Sequence, residues 1–465
     1  MQPFLLVSAA LFALQAGSPA REAAPAERSQ VAQPKSDGAP RLGRWKVVGR
    51  SGRDWEATLF LLRREDDAYS GHLLWRTTSG AEASGREAVT GTFDQGTRLL
   101  ALSGREIVDA VGNITHAEYR ARSEDDGRSL VEGTWGGGSV VPGTWSAVWE
   151  RTSEAARTPS FSFHSHELYN LHHFLYQCAK TAARRDGERV AGRPVTVVEL
   201  DAVDALEGDE RYAWLAAVDY YRRELIALDL LFDRRMYALK QLLTGIEDAD
   251  GEWPAGIEEE HVLALRAALP VYRARFWPAH DAANRGWIAT AVDALERHEA
   301  ELVERMTSAY GGSWPPPPVR VDLCAYANWA GAYTTGGPAH VTLSSTDADN
   351  GGHGALETLV HEASHTPEMI GALRDALAAA YAARGAEPPD DLWHLFLFVT
   401  AGESVRRTLA GAGVEGYVHY GERAGVYARG AWAGQFPLLL EPWTAFLDGE
   451  INRATALARI AEAID

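Results

Sequence analysis

Residues 355–367 read Ala355-Leu356-Glu357-Thr358-Leu359-Val360-His361-Glu362-Ala363-Ser364-His365-Thr366-Pro367. The apolar residues 355, 356, 359 and 360 return at three- and four-residue spacing, which predicts a helix with one buried face. On that helix His361 and His365 stand at i and i+4, so both imidazoles leave from one side. Unpaired charge inside a protein is costly, so histidines and glutamates on a buried helix call for partners. Two neutral imidazoles and a third ligand would hold a zinc ion and leave a fourth position for water. Zinc lowers the pKa of such a water toward ~7. Glu362 is placed to take its proton and pass it to a leaving amine. The segment therefore predicts Zn2+ as cofactor, His361 and His365 as ligands and Glu362 as general base.

The third ligand is sought downstream. Pro367 cannot sit deep in a helix, so the motif helix is expected to stop near Thr366. A second helix is expected over 367–384, about 27 Å long at 1.5 Å per residue. Residues 385–390, with Pro388-Pro389, read as a reversal loop, and 391–409 as a helix returning toward the metal. His394 lies about 5 Å into that return and Glu403 about 18 Å. On an antiparallel hairpin Glu403 comes closer to the level of Pro367, so Glu403 is the expected ligand and His394 the alternative. Gly402 would let the two backbones approach. Glu403 also stands i,i+4 from Arg407, the spacing of an ordinary ion pair on a helix surface.

The H-E-x-x-H pattern at 361–365, with a glutamate on a later helix, resembles the zincin metallopeptidases. Within them it is most similar to the gluzincin branch, to which thermolysin belongs. The resemblance covers residues 319–449. It implies a sheet above the metal whose edge strand pairs with an extended peptide by β-augmentation, and 340–345 is expected to be that strand. It also implies a donor for the developing oxyanion, for which Tyr420 and His419 in Tyr417-Val418-His419-Tyr420 are the candidates. Glu357, one turn before His361, is expected to orient that imidazole or to hold a salt bridge. Two features depart from the thermolysin pattern. No acidic residue stands four positions after Glu403, and 38 residues (403−365) separate Glu403 from His365.

Upstream, residues 41–150 consist of short β-type runs at 45–48, 56–62, 69–76, 88–93, 98–102, 115–121, 130–135 and 144–149, with turns between them. Strands in this number and spacing predict a small barrel or sandwich. Gly91-Thr92-Phe93, Gly133-Thr134-Trp135 and Gly143-Thr144-Trp145 repeat a glycine before an inward ring. In strand number and Gly-x-Trp habit the segment resembles lipocalin-like and avidin-like barrels, which implies a fold that can hold a small ligand. Trp55, Trp75, Trp135, Trp145 and Trp149 are expected first of all to pack the core.

From about 161 the chain reads as helical, over 210–243, 257–268 and 286–310, with Pro270 and Pro278 breaking the pattern. Pro315 to Pro318 form an extended connector. Strands are expected over 319–325 and 340–344. Asp347-Ala348-Asp349-Asn350 reads as a polar turn whose Asn350 caps the motif helix, rather than as a calcium loop. His164, His166, His172 and His173 contain no i,i+4 pair and are expected to be solvated or to pack helices. The fold class is thus multidomain, an N-terminal all-β barrel followed by a mainly helical α+β zincin-like part. The expected divisions are 41–150, a helical region 160–318 and a metal-binding region 319–465.

The net charge of −19 argues against nucleic acid and anionic membranes as partners. Residues 4–14 are apolar and lead into Ala16-Gly17-Ser18-Pro19-Ala20, which reads as a signal peptide over 1–20, although Met1-Gln2-Pro3 carries no cation. Residues 21–40 read as a flexible linker. No later stretch reaches the ~18 apolar residues of a membrane span. Cys178 and Cys324 either form one disulfide or remain two buried thiols. Together these features predict a secreted or periplasmic zinc metallohydrolase, a peptidase acting on a peptide or protein. The alternative is a non-catalytic envelope ligand-binding protein that uses the barrel and carries a degenerate zincin scaffold.

Overall fold

Alternating apolar and polar residues build eight antiparallel strands: β1 (Gly43–Arg50), β2 (Asp54–Glu65), β3 (Ala68–Thr77), β4 (Ser84–Asp94), β5 (Leu99–Val111), β6 (Glu118–Glu124), β7 (Ser129–Gly136) and β8 (Gly143–Trp149). Each pairs with the next, and β8 returns to β1 with Trp149 opposite Trp45, so the sheet closes into a barrel. Closure at this strand number leaves an interior that side chains can fill. Trp45, Val47, Leu59, Leu61, Phe93 and Leu100 fill it. The repeated Gly-Thr-aromatic motif has a steric cause. A Cβ on Gly91 would lie 1.9 Å from the carbonyl oxygen of Ala101 on the neighbouring strand.

The computed structural model describes residues 38–464 apart from 113 and 139. The expected signal peptide and residues 21–37 of the expected linker lie outside them. The last three linker residues are part of the barrel instead. The Ser123 hydroxyl donates to Gly38 O at 2.6 Å and the Tyr69 hydroxyl to Pro40 O at 2.9 Å.

The chain does not turn helical directly after the barrel. Two strands intervene, β9 (Glu154–Arg157) and β10 (Phe161–Ser165). They join β11 (Val319–Cys324), β12 (Ala332–Thr335) and β13 (His340–Ser344) in one sheet of order β12-β13-β11-β10-β9. The expected helical and metal-binding regions therefore share this sheet. Strand β11 runs parallel to β10 and to β13, whereas β12 is an antiparallel edge strand. The expected substrate strand, 340–345, is thus corrected: β13 is paired on both sides and its backbone has no free edge.

Six helices fill the crossover from β10 to β11: α1 (Glu167–Arg185), α2 (Val197–Asp204), α3 (Gly208–Glu224), α4 (Arg234–Thr244), α5 (Glu259–Arg275) and α6 (Trp277–Tyr310). The single helix expected over 210–243 is broken between α3 and α4. Asp229 accepts from the backbone N–H groups of Leu231 and Phe232, and Asp233 caps α4 through Arg235 N and Met236 N. These aspartates satisfy backbone donors outside a continuous helix. Pro270 sits inside α5, while Pro278 opens α6, where its missing N–H costs nothing. After β13 come α7 (Gly354–Ala363), α8 (Pro367–Ala382), α9 (Leu392–Gly411), α10 (Tyr420–Arg423), α11 (Trp432–Leu447) and α12 (Arg453–Ala463).

The sheet, α6 and the C-terminal helices share one core, and α1 with α3–α5 surrounds a second. The barrel is tied to this body by Arg86–Glu296 on α6 and Arg44–Glu154 on β9, each at 2.5 Å. The chain from Gly38 onward forms one compact unit. Cys178 and Cys324 are separate buried thiols. No helix among the described residues is long and apolar enough to cross a membrane.

The histidines near 164–173 are buried and partnered. His172 meets the Tyr221 hydroxyl at 2.8 Å and His173 the Tyr333 hydroxyl at 3.1 Å. Burial pushes His164 and His261 down to about 3 and His173 to about 4. In the unfolded chain each takes up a proton below about pH 6.5. The unfolded state therefore binds more protons as pH falls from about 6.5 toward 4, and folding stability falls with it. Thermal melts at matched ionic strength are expected to show a lower Tm at about pH 5 than at about pH 7, with up to about 1.4 kcal/mol lost per pH unit for each such histidine. A flat Tm over this window would contradict that account.

Candidate metal centre

Helix α7 carries His361 on its buried face. His365 follows in the turn just past the helix end, before Pro367 opens α8. The Nε2 atoms of His361 and His365 lie 3.2 Å apart. His394, in the first turn of α9, completes a cluster. Its ring centroid is 4.9 Å from that of His365 and 5.5 Å from that of His361. One ring nitrogen from each of the three lies within 4.8 Å of the others.

This donor set fits a metal ion. Ligand atoms about 2.0–2.1 Å from one tetrahedral centre stand about 3.3 Å apart, close to the separation seen for the first pair. The Nε2 of His394 is buried without a hydrogen-bond partner. Burial holds all three imidazoles in the neutral, ligating form: His361 well below its ordinary value, His365 at about 3 and His394 at about 4. Imidazole donors suit zinc, copper, iron or nickel. Phe398 lies 4.3 Å from the His361 ring, and Trp393 and Trp432 lie against His365 and His394. These rings wall the cluster, while His365 and His394 keep partial exposure.

Glu403, the expected third ligand, stands elsewhere. Its carboxylate accepts from Arg406 at 2.6 Å and Arg407 at 3.0 Å, and lies 3.2 Å from His419 Nε2. Burial pushes this carboxyl up, but His419 and Arg406 more than offset it and hold it well below the usual range. The expectation failed on the path between α8 and α9. A flat hairpin would carry His394 far from His365. Instead the nine-residue connection 383–391, which can span about 30 Å, returns the chain along α8. Arg374 of α8 consequently lies 5.0 Å from the ring of Trp393 at the start of α9.

His419 is engaged by Glu403 and is not brought to the cluster. Its seat requires Gly402, where a Cβ would fall 2.5 Å from His419 Cγ. Gly402→Ala is expected to cost about 1–3 kcal/mol in urea unfolding, the range for overpacking a core. Metal content should not change, because His394 is two turns away. Loss of metal without loss of stability would contradict this geometry.

Tyr420 stacks on Phe398 at 6.1 Å, one ring removed from His361. Its backbone N–H donates to Glu357 at 2.9 Å, and the Tyr417 hydroxyl donates to the same carboxylate at 2.5 Å. Glu357 therefore anchors the 417–420 segment and does not reach the His361 imidazole. Asn350 is likewise not the cap of α7, whose N-cap residue is His353. Asn350 donates instead to Gly331 O and Ser344 O, tying the start of α7 to the sheet.

Glu362 is held by a residue that sequence reasoning missed. Thr334 Oγ1 on β12 lies 2.7 Å from Glu362 Oε2 and 2.9 Å from its backbone oxygen. Burial raises the Glu362 carboxyl to about 7, with Thr334 and the Lys240 amine offsetting only part of the shift. The signal for β12 was present: Ala332-Tyr333-Thr334-Thr335, then Gly336-Gly337-Pro338, then the 340–344 run is a hairpin pattern. No known family, curated protein or solved structure matches this chain.

Proposed function

We propose that the chain is an exported zinc-dependent hydrolase that cleaves peptide bonds. The observation that carries this reading is the union of three neutral histidines with Glu362, one residue from His361 and held by Thr334. In this reading His361, His365 and His394 hold the zinc, which when bound supplies a Lewis acid and an activated water. Glu362 takes a proton and returns it to the leaving amine.

The hydroxyl of Thr334 fixes one carboxylate oxygen and leaves the other for the proton. Among the described residues strand β12 pairs only with β13, so its outer edge can take an extended peptide by β-augmentation. This edge, beside Glu362, replaces 340–345 as the proposed substrate strand. Tyr420 is kept as the candidate oxyanion donor, and His419 is not. Export, to the periplasm or outside the cell, rests on the apolar stretch at 4–14.

The test is metal analysis after purification in zinc, joined to cleavage of casein or an unstructured peptide. One zinc per chain, with activity lost to a chelator and restored by zinc, is the expected result. A chain that takes up no metal, or that holds zinc and cleaves no amide, sinks the reading.

A further inference from the structure

The barrel carries a second feature, independent of the metal centre. At the end formed by the β1–β2, β5–β6 and β7–β8 loops lies a cavity of about 180 Å3. Trp55, Trp75, Trp135 and Tyr119 contribute to its walls. Trp75 meets Trp55 edge-on at 6.2 Å and Trp135 at 5.4 Å, and stacks on Tyr119 at 6.0 Å.

These rings are not simply filling the core, because the space between them is open. Two of the indoles are pinned by their own N–H groups. Trp75 donates to the Tyr119 hydroxyl at 3.2 Å, and that hydroxyl donates to the buried Glu87 carboxylate. Trp135 donates to Val141 O at 3.2 Å. The Trp55 N–H is buried and has no acceptor.

The rim adds a charge. The Arg53 guanidinium lies 4.5 Å from the Trp55 ring centroid and donates to Ala81 O at 2.8 Å. Arg53 is half-buried and, among the described residues, forms no ion pair. In a chain of net charge −19, a half-buried arginine without a carboxylate, set beside an open aromatic cavity, is a place for an anion.

We propose that the barrel mouth binds a small aromatic carboxylate, its ring between the tryptophans and its carboxylate on Arg53. An apolar cavity of about 150 Å3 takes benzene, so this one has room for a single ring or a fused pair. Aromatic rings gain offset and edge-on contacts with indoles, and a guanidinium pairs with a carboxylate through two parallel hydrogen bonds.

Isothermal titration of the full chain with benzoate and with indole-3-acetate tests this. EDTA is present throughout, so that a metal at the histidine cluster cannot take the carboxylate. Saturable binding at one site per chain is expected for at least one probe. The uncharged analogue indole-3-ethanol should bind at least about tenfold more weakly than indole-3-acetate, the loss of one charged hydrogen-bonding pair. Arg53→Gln should bring the acid down to the level of the alcohol, and His365→Ala should leave binding unchanged. Three results would overturn the proposal: no saturable binding of either acid at millimolar concentration, equal binding of acid and alcohol, or tighter binding of benzyltrimethylammonium than of the acids. The comparison of acid with alcohol needs no variant, so a folding defect in Arg53→Gln cannot obscure the answer.

Discussion

Replacing His394 with alanine is expected to strip the metal from the protein, whereas replacing Glu403 with glutamine is expected to leave it in place. His394 brings one of the three imidazole nitrogens that lie within 4.8 Å of one another. Its loss leaves two donors on one turn of chain. Removing a group that only supports a ligand already costs about 10–100-fold in affinity, and removal of a ligand itself should exceed that. Glu403→Gln acts on different physics. Its carboxylate is shared by Arg406, Arg407 and His419, so the amide leaves those donors short of a negative partner. Breaking a buried pair from one side costs about 3–5 kcal/mol. The side chain of Arg406 is 44% exposed, so solvent screening should bring the loss nearer about 2 kcal/mol. Metal content by mass spectrometry and stability by urea unfolding separate the two effects. The reverse pattern, metal lost from Glu403→Gln and kept in His394→Ala, would restore the ligand set expected from sequence.

Glu362→Gln is expected to lower peptide hydrolysis by about 10²–10⁴-fold, the usual contribution of a positioned acid–base group. Zinc content should not change, since Glu362 is not one of the clustered donors. The substitution keeps shape and volume, and the amide oxygen can still accept from Thr334. A fall in activity therefore reports loss of proton transfer rather than collapse of the site. Steady-state rates with metal analysis on the same preparation check it. Unchanged rates at full zinc occupancy would remove Glu362 from the chemistry and, with it, the proposed mechanism.

The barrel was legible because each strand carries its own signal. Alternation along 144–149, with Trp145 and Ala147 inward against Thr144, Ser146 and Val148 outward, depends only on residues inside the run. The helix that carries His361 was legible for the same reason. His361 and His365 are brought together by one helical turn and its continuation, whatever the rest of the fold does. Strands β10 and β12 were missed on different grounds. Phe161–Ser165 does alternate, Phe161 and Phe163 against Ser162 and His164, but the run is only five residues long and α1 begins two residues after it, so it reads as part of the helical stretch that follows. Strand β12 spans only Ala332–Thr335, too short for periodicity, and its signal lay in the Gly336-Gly337-Pro338 turn that joins it to β13.

The sequence by itself therefore determined the elements whose causes are local: the set of eight β runs, the break at Pro367 and the pair of histidines with Glu362 between them; the closing of β8 onto β1 was decided by tertiary structure. Tertiary structure alone decided which distant group joins that pair. Glu403 and His394 lie on one helix, and both are plausible ligands by residue type. The choice fell to the path of the 383–391 connection, which no periodicity encodes. The packing of α9 against α6 and α7 rather than flat along α8 sets that path, and it turns Glu403 toward its arginines and His394 toward the site.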